Sequence, residues 1–247
     1  MQRQVPLTYL LIGDGRLARH LAYYFAASGM LFERWCRRDN DVQTLKDMAH
    51  QSSHILLLIS DDAIEDFIQS HPFLLQKSLI HCSGSLNSDV SQGCHPLMTF
   101  GDARYPKEFY PSIPFVCDKG FDFKQVFPQL TNPHYDLSPS KKALYHALAV
   151  MAGNFPQFIW QAVFAELQNN LELPHNILHP LIQKSMSNSF VSPDDAPTGP
   201  FVRGDRQTIQ AHKQALKHTN LAGLYHSFDQ WLCQQHTANQ EVNNEHQ

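Results

Sequence analysis

Two glycines and an alanine near the start of the chain have the spacing of a phosphate-binding turn. The segment G-D-G-R-L-A follows an apolar run and precedes a stretch whose apolar residues lie three and four positions apart. In such a strand-to-helix turn, the first glycine permits the turn, the second lets the backbone approach a pyrophosphate, and the small third residue allows close packing. The helix N-terminus then offers free N–H groups to the phosphates. The sequence predicts a dinucleotide site here, with an unliganded tight turn as the alternative, at Gly13, Asp14, Gly15, Arg16, Leu17 and Ala18.

Two arginines follow the second predicted strand, where the cofactor is usually selected. An acidic residue at this place accepts from the ribose 2′-hydroxyl of NAD, whereas arginine binds the 2′-phosphate of NADP. Arg37 and Arg38 precede Asp39 here. Because guanidinium binds phosphate through charge-assisted bidentate bonds, the pair favours NADP(H). The alternative is that both arginines are solvated and Asp39 binds the ribose of NAD.

Polar residues also follow the third and fourth predicted strands. Ser60 and Asp61 come after one, and Ser83 and Gly84 after the other. Ligands of open α/β sheets bind at the carboxyl ends of strands, so these loops are expected beside the nicotinamide half of the cofactor. Capping of the following helix is the preferred interpretation of the carboxylates of Asp61 and Asp62.

The elements that must position these residues alternate between strands and helices. Such alternation predicts βαβ units around a parallel sheet. We expect a Rossmann-like dinucleotide-binding domain at 1–137, with crossover helices at 16–28 and 62–70. Its strands are expected at 8–12, 31–36, 54–60, 78–82, 115–118 and 134–137.

An all-α helical domain is expected from 138 to 236. Ser138 and Pro139 are suited to a helix start, and strand-like runs then cease. A long helix from about 140 to 171 should bend near Gly153, because Pro156 lacks the N–H that would bond to residue 152. Further helices fit 175–190, 205–217 and 221–235, and the polar residues 237–247 are expected to form a disordered tail.

Composition excludes some classes of function. A formal net charge of −4 provides no broad basic surface, so sequence-independent nucleic-acid binding is not expected. The longest aliphatic run, 55–59, is far shorter than the roughly 20 residues of a membrane span. The first residues lack the pattern of a signal peptide, and five widely spaced cysteines form no C-x-x-C. We therefore expect a cytoplasmic protein with reduced thiols.

Several segments bear a family resemblance. Together with the glycine turn, "HCSGSL" (81–86), "HPLMTF" (95–100), "LYHALAVMAGNF" (144–155) and "PTGPFVRGDRQTIQAH" (197–212) resemble the family that joins a Rossmann-like NADP-oxidoreductase domain to a DUF2520 helical domain. The similarity covers 7–235. The layout is more distantly similar to pyrroline-5-carboxylate reductases, prephenate dehydrogenases and β-hydroxyacid dehydrogenases, with a second domain like the C-terminal one of 6-phosphogluconate dehydrogenase. In these relatives the helical domain supplies substrate residues and usually the dimer interface, which implies a homodimer.

The resemblance implies that His95, Asn154, Thr198 and Arg203 lie in a cleft that binds a small-molecule substrate. His95 could equally be solvated or bonded to backbone. Asn154 stands among apolar residues, so we expect a buried amide that needs partners, in contact with cofactor or substrate. The alternative for Arg203 is a surface pair with Asp194 or Asp195, and Asp205 is expected to cap the next helix.

One departure from the relatives bears on the chemistry. β-Hydroxyacid dehydrogenases carry a catalytic lysine four residues before the helix asparagine, and Val150 stands at that place here. His146, two turns before Asn154, could donate the proton instead, although a structural, hydrogen-bonded histidine is the preferred interpretation. Reduction of an imine asks less of the protein, since its nitrogen can arrive protonated.

Two functions and one further site follow from these residues. The first function is an NADP(H)-dependent oxidoreductase that reduces an imine or keto-type small molecule, and the second is a catalytically silent NADP-binding sensor or scaffold. Loss of the lysine favours the sensor, and the complete glycine turn with its arginines favours the enzyme. A zinc site at His81, Cys82, Cys94 and His95 has adjacent ligand pairs in place of C-x-x-C spacing and is the weakest alternative.

Overall fold

The computed structural model describes residues 7–245, with the side chains of 7–235, and the chain divides into two units. The first is Met1–Phe155 and the second is Pro156–Gln247. The sequence analysis places a domain boundary earlier, after residue 137. The first unit extends further because the next helix is anchored to the sheet by an ion pair and a hydrogen bond described below.

Seven strands of the first unit form one sheet in the order β2-β1-β3-β4-β5-β6-β7. The first four strands and β5 run parallel, whereas β5 and β6 are antiparallel and β6 and β7 are parallel to each other. From β1 the chain places β2 on one side and then β3 on the other. Such a change of side marks the point where an open sheet binds ligands, and here that point lies between β1 and β3. The strands are β1 (Thr8–Ile12), β2 (Leu31–Trp35), β3 (His54–Leu57), β4 (Ser78–His81), β5 (Gln92–Pro96), β6 (Phe115–Asp118) and β7 (His134–Leu137).

Alternate residues of β1 enter two apolar clusters on opposite faces of the sheet. Tyr9 and Leu11 belong to one cluster, and Leu10 and Ile12 to the other. This two-sided burial is expected for a central parallel strand, since side chains alternate along it and helices cover both faces. Helix α1 (Arg16–Ala27) packs on the first face. Helices α2 (Val42–Gln51) and α3 (Ile64–Ser70) pack on the second.

The fold class expected from sequence is confirmed, with two elements that the pattern did not reveal. Strand β5 reads Q-G-C-H-P and lacks a β-branched residue, so nothing in its composition predicts a strand. Helix α2 lies between β2 and β3 in a segment of low apolar content, and its N-cap Asp41 accepts a bond from the N–H of Thr44. A four-residue helix, α4 (Phe123–Val126), links β6 to β7.

The long helix expected after residue 140 is divided at Asn154 as predicted. Helix α5 (Lys142–Gly153) ends there and α6 (Phe155–Asn170) begins, because Pro156 cannot donate a helical hydrogen bond. The following helices are α7 (His179–Val191), α8 (Pro200–Arg203), α9 (Arg206–Leu216) and α10 (Ala222–Glu245).

Helix α10 continues through Glu245, where the sequence analysis expects a disordered tail. Its polar composition gives no apolar stripe, which is why the pattern indicated no helix there. Residues 246 and 247 of that tail lie outside the described residues. No helix in the described part of the chain is long and apolar enough to cross a membrane.

Candidate cofactor and substrate site

The turn after β1 requires glycine at its first position for reasons of packing alone. Gly13 has φ of +132°, and a Cβ there would lie 2.3 Å from the carbonyl oxygen of Leu58. The N–H of Gly13 also donates to the carbonyl of Trp35 over 2.9 Å. The turn therefore fits tightly between the ends of β2 and β3, and no side chain can be accommodated.

The second glycine is different, because nothing in the protein requires it. A Cβ on Gly15 would meet no atom within 4 Å. Gly15 is the N-cap of α1 and provides no side-chain cap, and the first turn of the helix carries no acidic residue. The free N–H groups and the positive end of the helix dipole thus face open space, where a phosphate group fits. Ala18, fully buried, gives the close helix packing expected of the third position.

A cavity of about 690 Å³ opens at this turn. Its walls come from the glycine turn, the end of β2 and the end of β3, so it lies where the sheet changes direction. Ser60 lines this cavity, and so do seven of the residues that the glycine turn and the arginine pair predict for the cofactor. The seven are Gly13, Asp14, Gly15, Arg16, Leu17, Arg37 and Arg38.

The arginines are arranged differently from the expected Arg37–Arg38 pair. Asp14 accepts from Arg34 over 2.7 Å and also from Arg38. Desolvation alone would raise the pKa of Asp14, but the hydrogen bonds from Arg38 and Arg34 lower it overall. Arg37 is exposed and makes no ion pair within residues 7–235. Arg34, within β2, was not a candidate because β-strand periodicity alone does not indicate which side chain reaches the turn.

The loops after β3 and β4 are joined to each other. The hydroxyl of Ser83 donates to the Asp61 carboxylate over 2.5 Å, and accepts from the N–H of Leu86 over 3.0 Å. The expectation that Asp61 caps a helix is therefore wrong, since its carboxylate binds across to the neighbouring loop. Ser83 is buried, so its side chain holds the loop in place while the backbone of Gly84 faces the histidines described next.

A second cavity, of about 750 Å³, adjoins the carboxyl end of β5 and helix α5. It is lined by apolar side chains such as Leu97 and Phe100, and by three polar candidates, His95, His146 and Asn154. Arg16 lines both this cavity and the one at the glycine turn, and its Nε lies 3.0 Å from the Asp102 carboxylate. The two cavities thus share a wall at the N-terminus of α1.

Two histidines and a tyrosine meet at the second cavity. The Nδ1 atom of His95 lies 2.7 Å from the hydroxyl of Tyr145. The rings of His95 and His146 are perpendicular, with centroids 5.8 Å apart. A Cβ on Gly84 would lie 2.6 Å from a ring carbon of His146, so glycine is required for this imidazole to approach the loop. His146 makes no hydrogen bond among the described residues, contrary to the structural histidine that the sequence analysis preferred.

Burial sets the protonation states in this cluster. Desolvation, with His146 and Lys142 adding to it, lowers the pKa of His95 to about 4. Desolvation raises the pKa of Tyr145 to about 12. At neutral pH the imidazole of His95 is therefore neutral and the phenol of Tyr145 keeps its proton.

A buried ion pair fixes the start of α5 against the sheet. Lys142 Nζ lies 2.7 Å from Asp118 Oδ1, and the Lys142 side chain is only 5% exposed. The N–H of Gly93 donates to the other Asp118 oxygen over 2.5 Å, and a Cβ on Gly93 would lie 2.7 Å from the ammonium nitrogen. The pair thus connects β5, β6 and α5, one turn before Tyr145 and His146.

Burial lowers the pKa of nearby His81 to about 4, and its Nε2 is buried without a partner.

Asn154 lines the second cavity but is not the buried amide that was expected. It is exposed, as are its apolar neighbours Met151, Phe155 and Phe158. The apolar surroundings in sequence are not a buried core around it, because each of these side chains is at least half exposed. Its backbone N–H bonds to the carbonyl of Val150 over 2.8 Å, so Asn154 ends α5.

The remaining candidates belong to the second unit. Thr198 is exposed and precedes Gly199, whose φ of +93° forms the turn into α8. Arg203 pairs with Asp205, its Nη2 2.8 Å from Oδ2, and not with Asp194 or Asp195. Asp205 is the N-cap of α9 but makes no capping bond, because Arg203 engages its carboxylate.

The zinc alternative finds no support. Within the described residues no three histidine, cysteine or carboxylate side chains are grouped to hold a metal. Cys94 instead faces Cys117 across the antiparallel β5–β6 pair, with sulfurs 3.3 Å apart. Burial raises the pKa of the Cys82 thiol to about 12 and raises that of Cys94, so both are protonated thiols.

Sequence reasoning missed Tyr145, Arg34 and the Lys142–Asp118 pair. Tyr145 stands in the segment "LYHALAVMAGNF" directly before His146, and an aromatic beside a candidate acid is the only signal the sequence offered. The ion pair joins residues 24 positions apart, which periodicity cannot reveal.

Comparison with known proteins agrees with this description of the fold. Residues 122–230 match the family described as DUF2520, a domain of unknown function. Among curated proteins, none matches this sequence.

Solved structures with the same fold include three described as reductive enzymes. A candidate NADP oxidoreductase from Bacteroides fragilis is 21% identical, with a TM-score of 0.74 over 92% of this chain and 98% of that one. A Streptomyces aurantiacus imine reductase is 12% identical, with a TM-score of 0.65 over 94% and 95%. A reductive aminase from Aspergillus terreus, in complex with NADPH and ethyl levulinate, is 13% identical, with a TM-score of 0.63 over 93% of each chain.

At these identities the structural similarity shows a shared fold, and the family match identifies the helical part. The chain therefore shares the fold of these proteins, and its residues 122–230 are similar to the DUF2520 domain, in line with the resemblance of its motifs.

Proposed function

We propose that this protein is an NADPH-dependent reductase of a small imine or ketone. The observation that carries the proposal is the pair of adjoining cavities that share Arg16. One has the open N-terminus of α1, and the other has His95 and His146 beside apolar walls. Such an arrangement provides a phosphate site next to a mostly dry pocket with a few polar groups, as small-molecule enzymes require.

The residues at the glycine turn fit a dinucleotide. Gly13 is needed by the protein itself, whereas the open space over Gly15 and the uncapped helix are explained by a diphosphate bound against them. When bound, NADPH supplies the hydride, and the protein supplies position, exclusion of water and one proton. His146 lines the pocket as the candidate proton donor, the neutral His95 as a candidate hydrogen-bond donor, and Asn154 as the candidate amide for cofactor or substrate.

The choice of NADP over NAD rests on the arginines around Asp14. Arg38 and Arg34 already point to one carboxylate, so a 2′-phosphate arriving there meets two guanidinium groups. Asp39 accepts from the thiol of Cys36 over 3.0 Å and lies 3.7 Å from Arg38, so its negative charge is partly balanced by the same arginine.

Titration with NADPH and with NADH tests this choice directly. We expect NADPH to bind at least tenfold more tightly, and Arg38→Ala and Arg34→Ala each to weaken NADPH by about tenfold while leaving NADH unchanged. Arg104→Ala is the matched control, because this exposed arginine lines neither cavity. Equal affinity for the two nucleotides in the wild type would contradict the assignment.

Gly15→Ala tests the phosphate site itself. The methyl group meets no protein atom, so the melting temperature should stay within a degree or two, yet affinity for both nucleotides should fall because the methyl occupies the space of the phosphate. Unchanged affinity would remove the basis of the site.

The second candidate function is a catalytically silent NADP sensor. It is favoured by Val150, which stands where related dehydrogenases carry a catalytic lysine. Monitoring NADPH absorbance against a panel of imines, ketones and α-keto acids separates the two, with turnover supporting the reductase and tight NADPH binding without turnover supporting the sensor.

We further propose that the second unit pairs with a second copy of the chain. Ile209 is its only buried apolar side chain among residues 156–235, whereas Phe158, Phe190 and Trp231 are more than half exposed. A unit with so little core is not expected to be stable by itself, and a symmetric partner would bury the same side chains twice.

A further inference from the structure

One titratable side chain in the second cavity has one of its nitrogens bound and the other open. Nδ1 of His95 is bonded to the hydroxyl of Tyr145 over 2.7 Å, and the rings are perpendicular. Nε2 of His95 has no hydrogen-bond partner among residues 7–235. It is not one of the fully buried polar atoms that lack a partner, so this nitrogen keeps some accessible surface. Since His95 lines the cavity, we take this nitrogen as the one that a ligand there can reach.

Two directions are open to the Tyr145–His95 bond, because a pKa of about 12 for the phenol and of about 4 for the imidazole leave both groups neutral at pH 7. When the phenol donates to Nδ1, the single imidazole proton is on Nε2, the nitrogen that has no partner within the protein. When Nδ1–H donates to the phenol oxygen, Nε2 has no proton.

We propose that Tyr145 is a positioning residue that fixes the tautomer of His95, so that His95 presents its Nε2–H to the oxygen or nitrogen of the substrate. The inference deepens the proposed reductase and rests on it, because a hydrogen-bond donor is what a developing alkoxide or amine needs beside the hydride acceptor. No lysine is then required at Val150. His146, with no bond of its own among the described residues, remains the group that can exchange the proton.

The groups around His95 keep it neutral. His146 on α5 and Lys142 at the start of that helix disfavour a positive charge on the ring, as does His81 at the end of β4. Asp61, after β3, acts in the opposite direction. A neutral imidazole is thus a donor through one nitrogen only, and the tautomer decides which one.

Nitrogen-15 NMR of the histidine rings tests the tautomer without any substrate. In the wild-type protein at pH 7 the shifts of His95 should show a protonated Nε2 and an unprotonated Nδ1. In Tyr145→Phe, Nδ1 of His95 loses its hydrogen-bond donor, so both tautomers of the ring should be populated. The pKa of His95 should also rise from about 4, because the lost bond stabilised the neutral ring. Tyr135→Phe is the matched control, since Tyr135 is 61% exposed on the edge strand.

The kinetic readout separates positioning from structure. Tyr145→Phe should lower kcat by about tenfold, a part of what an oriented hydrogen-bond donor contributes, with KM and NADPH affinity within twofold of the wild type. Equal kcat for Tyr145→Phe and wild type, or a wild-type His95 protonated on Nδ1, would overturn the assignment. If the wild type binds no NADPH, the proposed function fails while the tautomer measurement still decides the inference.

Discussion

The two units of the chain differ in how they use similar side chains. The first buries more than thirty apolar residues in two clusters around its sheet, and the second buries one among residues 156–235. Each unit also contains one lysine–aspartate pair, Lys142–Asp118 in the first and Lys213–Asp229 in the second. The Lys142 side chain is 5% exposed and that of Lys213 is 28% exposed. The lysine is therefore buried only in the first unit, whereas the carboxylate is largely covered in both, with the Asp118 side chain 19% and the Asp229 side chain 11% exposed.

The largest difference is expected when each lysine is removed. Lys142→Met leaves the partly buried Asp118 carboxylate without its counter-ion, which should lower the free energy of unfolding by about 3 kcal/mol. Lys213→Met should lower it less, by about 1 kcal/mol, because the positive charge of Arg206 still stabilises the Asp229 carboxylate. Urea unfolding with hydrogen exchange on peptides from β5 and α9 measures each unit separately. Equal losses in both units would refute the distinction.

Acidification should destabilise the first unit next most strongly. The pKa of buried His81 is about 4 in the folded chain and about 6.5 in the unfolded chain. Below pH 6.5 His81 is therefore protonated in the unfolded state but still neutral in the folded state, which lowers the free energy of unfolding. The contribution is constant above pH 6.5 and is lost as pH falls toward 4, at about 1.4 kcal/mol per pH unit.

At pH 5 the loss is about 2 kcal/mol from His81, and His95 adds to it in the same direction. His81→Gln should be less sensitive to acid than the wild type. Denaturant unfolding at pH 7 and pH 5 provides the measurement, and a variant with unchanged acid sensitivity would argue that His81 titrates normally.

The smallest expected effect concerns association through the second unit. Phe190 is 86% exposed, and Phe190→Asp should weaken the dimer by at least tenfold, or about 1.4 kcal/mol. Leu31→Asp, at a 55% exposed apolar residue of the first unit, is the control and should not change the association. Sedimentation equilibrium distinguishes the outcomes, and a wild-type monomer at high concentration would end this proposal.

The contrast between the units also explains what the sequence could predict. Strands β1, β6 and β7 have the expected bounds, and the glycine turn lies where its spacing placed it, because local conformation and apolar pattern act over a few residues. Contacts between distant segments were not predictable. The Tyr145–His95 bond and the Asp14–Arg34 pair depend on register between elements, and β5 has no composition typical of a strand.

The exposure of Asn154 has the same origin. Apolar neighbours in a helix usually indicate a core, but in this chain the apolar side chains around Asn154 are at least half exposed. An apolar sequence pattern indicates that a helix surface should be buried, but it does not indicate which element buries it.

Asp14 has a consequence for anyone who would convert the nucleotide preference of this protein. Its carboxylate is bonded to both Arg34 and Arg38, so the three side chains form a single electrostatic unit. Replacing either arginine alone leaves a partly unmatched negative charge at the mouth of the nucleotide cavity. The effects of substitutions at the three positions are therefore expected to be non-additive. A triple substitution designed jointly should change the nucleotide preference more than the single substitutions do.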